Sequence, residues 1–380
     1  MKYLLLLLLV ITTPLLSKNE NQTNNDEYTT CSDFCLDIPS SCWGISFGNS
    51  KSFNGLRFNY RDCDVETING FNFTLWEPKS IINSEVNGIS FGVTPHASRL
   101  HGINVGLGAI IAEEEMVGVN FGLLSAVSNG NISGINFGGL ALVSEGELTG
   151  INLAGLALVS GNSITGLNFG GLSLVANNDI TGINVGGLAL VSDGNITGIN
   201  FGGLACVSKG SMSGLNMSSL ALVADGELVG LNFGGLAMVS KSGITGINIG
   251  GLALVSEESI KGINIGGVAI VSGDNSLYGL SFTLGQIKVM DSISGISISG
   301  YKTESMDFTG INFTLAWTEF ENLTGFSFAG YNEINGNQNG LTIGIINFAE
   351  NLNGVQIGLI NIANNNSGIF KILPFINAHL

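Results

Sequence analysis

The chain has 380 residues, 56 of them glycine and five proline, with 44 % hydrophobic and 11 % charged residues and a net charge of −16. That hydrophobicity excludes intrinsic disorder, and abundant glycine without a three-residue period and with scarce proline excludes collagen. The acidic balance repels nucleic acid and anionic lipid, so no nucleic-acid partner is expected.

In chain order, the first element is a targeting signal. One positive charge at Lys2 precedes an apolar run from Leu4 to Ile11, and small residues follow up to Ser17. This predicts a secretory signal peptide over 1–17 and an exported protein, at the cell surface, in the outer membrane or secreted. Polar Lys18, Asn19 and Glu20 arrive too soon for a spanning helix, which needs about 20 apolar residues. No later stretch is long enough either, so no transmembrane helix is expected in the mature chain. Residues 18–30 read as a flexible polar leader.

Cys31, Cys35, Cys42 and Cys63 then cluster, leaving Cys206 alone. In an exported chain the four predict two disulfides with three possible connectivities. A tight C-x2-C pair is absent, so a metal site is not expected. Residues 31–87 are read as a disulfide-stapled N-terminal cap with degenerate repeats. Trp43, Phe47 and Phe58 are expected to cover the first coil.

The body, 88–278, repeats every 16 residues. Gly102, Gly118, Gly134 and their successors to Gly262 form one column. Two residues on stand Asn104, Asn120, Asn136, Asn152, Asn168, Asn184, Asn200, Asn216, Asn232, Asn248 and Asn264, without an exception. The unit reads T-G-[IL]-N-x-G-G-L-A-L-V-S plus a four-residue corner. Looser units and a C-terminal cap fill 279–380.

Period-two alternation in each unit, a glycine bend, and no proline between Pro95 and Pro374 argue for two short strands per unit. The glycine load and lack of 3.6-residue periodicity exclude helix. The predicted fold is all-β, a parallel β-solenoid with 16-residue coils. Ile151, Leu153, Leu156 and Leu158 are expected inside, with a phase slip at Ala154-Gly155. Coils stacked about 4.8 Å apart would let the asparagine amides bond to one another in a ladder. The alternative is an outer-membrane β-barrel, for which Thr149, Ile151, Leu153, Gly155, Ala157 and Val159 would supply a lipid face. Against it, Leu156 and Leu158 would then line a lumen that should be polar.

The Gly-Ile-Asn-x-Gly-Gly-Leu units, with Gly354–Ile362 and the Leu373-Pro374-Phe375-Ile376-Asn377 end, resemble a bacterial surface-repeat family of spirochaetes and Bacteroidetes. The likeness spans most of 88–380. It implies an exported envelope or surface protein without an established enzymatic role, and it carries over no catalytic residues.

Little catalytic chemistry is legible. His96, His101 and His379 lie outside the regular array, and His96 with His101 reads as a cap feature. No phosphate-loop, nucleophile-elbow or zinc-protease motif occurs, so no catalytic residue, no cofactor and no metal is assigned. Cys206 stands at a leucine position and reads as a buried thiol. Glu145, Glu147, Asp179, Asp193, Asp225, Glu227, Glu257, Glu258 and Asp274 occupy the corners. Without constant ligand positions they read as a solvated edge and not as a Ca²⁺ site.

The function these features support is a non-enzymatic exported repeat protein with a structural, adhesive or partner-binding role toward an unknown surface ligand or envelope component. A barrel acting as a pore is the alternative. A flat ice- or glycan-binding face along Thr149, Thr165, Thr181, Thr197 and Thr245 is a third, interrupted at Val229 and Lys261.

Overall fold

In the computed structural model, Cys31 and residues 34–379 apart from Asp274 are described. The segments expected to be a signal peptide and a leader lie outside them. Each regular unit forms a long strand such as Ile164–Gly170 and a short one such as Ser173–Ala176. Each strand pairs in parallel with its own copy one unit before and one unit after, in unbroken register: Ile164 opposite Ile180, Asn168 opposite Asn184, Leu174 opposite Leu190. The fold is the expected parallel β-solenoid. The barrel alternative falls, because strands in the array pair with the next unit and in parallel, where a membrane barrel pairs sequential strands antiparallel.

The glycine column has a backbone reason. Gly182 holds φ +119°, in the left-handed region, and a Cβ there would drive into the carbonyl oxygen of Gly166 in the coil below. Only glycine meets both conditions.

The interior differs from the expected one. Along the long strand the alternation runs without a slip. Ile164, Asn168 and Gly170 are buried while Thr165, Leu167 and Phe169 face out. After the bend at Gly171-Leu172, Leu174 and Ala176 turn inward. In the preceding unit Ile151, Leu153 and Leu156 are therefore exposed, and of the four expected core residues only Leu158 is buried. The reason is the asparagine. Seating its amide inside commits every second residue of that strand to the interior, since strand side chains alternate faces strictly. The core of one coil consists of an Ile-type residue before the threonine, the asparagine, the serine that ends A-L-V-S, and the leucine of that run. At the second coil on from Ser173–Ala176 the last of these is Cys206, fully buried.

Both ends close with a reversed strand. Cys35–Ser40 pairs antiparallel with Trp43–Gly48, and Ile372–His379 pairs antiparallel with the end of Tyr331–Ala363. Cys31 and Cys63 are bonded to each other. Cys35 and Cys42 are free and exposed, so the expected second bridge is not formed. Cys35 sits opposite Gly48 at the open end of the hairpin and Cys42 sits at its turn. The strand between them spans roughly 20 Å, far beyond the ~7 Å Cα limit for a disulfide. Trp43 and Phe47 do not cover the first coil either. They are exposed, and Phe47 stacks on Phe58 along the outside at 5.6 Å. The first coils are filled instead by Phe53 and by a fully buried Arg57.

Candidate functional site: an amide spine inside and an apolar face outside

The asparagine column forms the expected ladder. Asn168 Nδ2 donates to Asn184 Oδ1 at 2.8 Å, and Asn184 Nδ2 donates to Asn200 Oδ1 at 2.8 Å. The same bond runs from Asn104 through Asn120, Asn136, Asn152, Asn216, Asn232 and Asn248 to Asn264, always toward the C-terminus. The chain of bonds has two ends. Asn104 Oδ1, with Ser90 at the same position of the coil before it, is buried without a partner, and Asn264 reaches Ser281 Oγ at only 3.4 Å. Aligned amide dipoles in a dry interior polarise one another, so the ladder holds the coils in register more firmly than isolated pairs would.

Two further stacks carry signals that a column-by-column reading would have found. The buried serine ending A-L-V-S donates to a corner carbonyl of the coil before, as in Ser160 Oγ to Gly146 O at 2.7 Å and Ser208 Oγ to Gly194 O at 2.6 Å. A second amide ladder, Asn332 to Asn347 to Asn361 at 2.8 and 2.7 Å, takes over the column of the A-L-V-S leucine near the C-terminus, through Ile270, Ile287, Thr303 and Thr318. Arg57 occupies the asparagine column in the N-terminal coils. It bonds Asn72 Oδ1 at 2.8 Å and pairs with Asp62 at 2.7 Å.

The outer surface follows from the same strand phase. Three apolar columns run side by side along the rod. The first is Ile103, Val119, Ile135, Ile151, Leu167, Ile183 and Ile199. The second is the variable position, occupied by residues such as Phe121, Phe137, Phe169 and Phe201. The third is the leucine at the bend, as in Leu156, Leu172, Leu188 and Leu204. Ile183 is 44 % and Leu188 46 % exposed, so these side chains are half in solvent in coil after coil. Phe121 and Phe137 stack at 4.8 Å with nearly parallel rings. No charged residue enters the three columns between Ile103 and Val268.

Apart from Lys261 in the threonine column, whose ammonium lies 5.9 Å from the centre of the Tyr278 ring, charge in the array is confined to the opposite edge, at the corners. There Lys209 pairs with Asp193 and Lys241 with Asp225, each with the preceding coil. The hydrogen bond and charge of Asp225 hold the Lys241 ammonium above its ordinary range. Asp179 Oδ1 accepts the backbone N–H of Asn195 at 2.7 Å. Spent on neighbouring coils, these carboxylates form a stitched, solvated edge. The threonine column beside it is exposed and makes few bonds of its own, such as Ser213 Oγ to Thr197 Oγ1 at 3.2 Å.

His96 and His101 sit in an ion-pair patch at the start of the array. His96 Nε2 meets Glu113 at 2.8 Å, His101 Nε2 meets Glu115 at 2.9 Å, and Arg99 joins Glu85 to Glu114. Hydrogen bonds from Asn87 and then Arg99 hold the Glu85 carboxyl below the usual range. His379 lies at the far end, against Asn366. Among the described residues, Cys31, Cys63 and Asp64 bring metal-type ligand atoms together, and two of these are joined as a disulfide. Burial pushes the Cys206 thiol up to about 12, far from the range of a nucleophile.

No protein-family profile, no curated protein and no solved structure matches this chain.

Proposed function

We propose that this is an exported, non-enzymatic repeat protein of the cell envelope or surface that acts through its long outer face. The observation that carries the reading is the unbroken apolar surface from Ile103 to Val268. Monomeric soluble proteins rarely leave apolar patches larger than several hundred Å² uncovered, and large ones mark places where something docks. A solenoid repeats one coil's surface along its length, which suits a partner that is itself extended. The Met1–Ser17 segment and the likeness to surface-repeat proteins support export.

The test is protease treatment of intact cells expressing the full chain, compared with lysed cells, together with N-terminal sequencing of the recovered protein. The expected result is a chain beginning after Ser17 and digested on intact cells. An unprocessed chain found only in the cytosolic fraction would overturn the proposal.

A further inference from the structure

We infer that the outer apolar face is a self-association surface, and that the occupant of one copy's face is the face of a second copy of this chain. The inference deepens the reading of the long face given above and rests on it only for the face being a contact surface.

Three observations select a second copy. The first is area. Eleven coils at ~4.8 Å give ~53 Å of length, and the face is ~12 Å wide from the isoleucine column to the bend leucine. That makes roughly 640 Å² per copy, within the ~600–1,000 Å² each partner contributes to a standard stable interface. The second is periodicity. The Ile, Phe and Leu columns recur once per coil, and a surface with the same spacing meets them equally well at every coil. A second copy has that spacing by construction, and the side chains of two facing sheets interdigitate when the sheets lie ~10 Å apart. The third is charge. The three columns carry none between Ile103 and Val268; Lys261, in the threonine column, is the one charged side chain on the same outer strand surface there, and the other charges lie at the corners beyond it. Two faces therefore meet along these columns without burying an ion, with Lys261 at their margin, and the acidic corners stay in solvent at the rim. The net charge of −16, with Lys261 the one cation on that strand surface between Ile103 and Val268, offers no attraction to an anionic lipid surface.

The experiment is sedimentation equilibrium of the purified full-length mature chain at concentrations down to about 1 µM. It is repeated on a variant carrying Ile183→Glu, Leu188→Glu and Ile199→Glu and on a control carrying the corner changes Asp193→Asn and Glu257→Gln. Because the three outward positions leave the core and the ladder untouched, circular dichroism should show the same β content in all three proteins. The wild type and the control are expected as dimers, and the triple variant is expected to dissociate at least about 100-fold more readily. A monomeric wild type overturns the inference, as does a dimer that the triple variant leaves intact. If the wild type is monomeric but floats with neutral phosphatidylcholine vesicles, the face is lipid-binding and the inference is equally overturned. Oligomeric state in solution is read independently of export, so failure of the envelope reading in the protease test leaves this result standing, and the reverse also holds.

Discussion

A buried asparagine is stable here because its neighbours are asparagines. Asn184 accepts from Asn168 and donates to Asn200, and it is fully buried. Asn184→Ala strands the donor of one neighbour and the acceptor of the other, with a cost of about 1–3 kcal/mol for each unsatisfied buried group. Asn104→Ala strands only the acceptor of Asn120, since Asn104 Oδ1 has no partner to lose. Denaturant melts should therefore rank Asn184→Ala clearly below Asn104→Ala in stability, and equal losses would show that the amides do not act as a chain. Thiol chemistry gives a second residue-scale test. The thiolate is the reactive form, so a thiol raised to about 12 by burial stays inert at neutral pH while the exposed Cys35 and Cys42 react. Alkylation of the native, unreduced protein should modify Cys35 and Cys42 only. Denaturation should add Cys206, and reduction should then add Cys31 and Cys63. Modification of Cys206 in the native state would show that this part of the core opens.

The strand elements were legible in existence, spacing and direction, because glycine, asparagine and the A-L-V-S run recur at constant intervals and a parallel stack matches like with like. Their phase was not. In isolation Ile151 and Leu153 look like core and Asn152 like surface, and the reversal follows only once the neighbouring coils supply amide partners for Asn152. The N-terminal elements depart furthest from expectation. Arg57 is buried where the array carries asparagine, and its guanidinium ties Asp62 to Asn72. Removing one partner of a buried ion pair costs about 3–5 kcal/mol, since the other charge is left without compensation. In a stacked array that loss stays local, because each coil touches only its neighbours. Arg57→Ala should abolish hydrogen-exchange protection in the coils around Gly55, Gly70 and Gly88 and leave the coils around Gly182 and Gly230 protected. Uniform loss along the chain would mean that the array melts as one unit.

The whole molecule is a stack whose length is set by coil number. About 20 coils at ~4.8 Å give a rod on the order of 100 Å. A compact protein of this length would have a radius of gyration near ~21 Å, so small-angle scattering of the charge-bearing triple variant should return a clearly larger value. A value at ~21 Å would contradict the stack. Using that variant keeps association through the apolar face from adding to the measured size.

What the sequence determined by itself is the repeat and therefore the architecture. A 16-residue period with an invariant glycine and asparagine has few solutions that place like residues against like, and the parallel solenoid is one that also satisfies the amides. Tertiary structure decided which side of each strand is the outside. A strand's two faces differ by a shift of one residue, and nothing within a single unit distinguishes an apolar residue facing the core from one facing solvent. The amide ladder breaks that degeneracy, because it exists only between coils. By drawing the asparagines inward it turns Ile183, Phe201 and Leu188 outward and makes the face on which association depends.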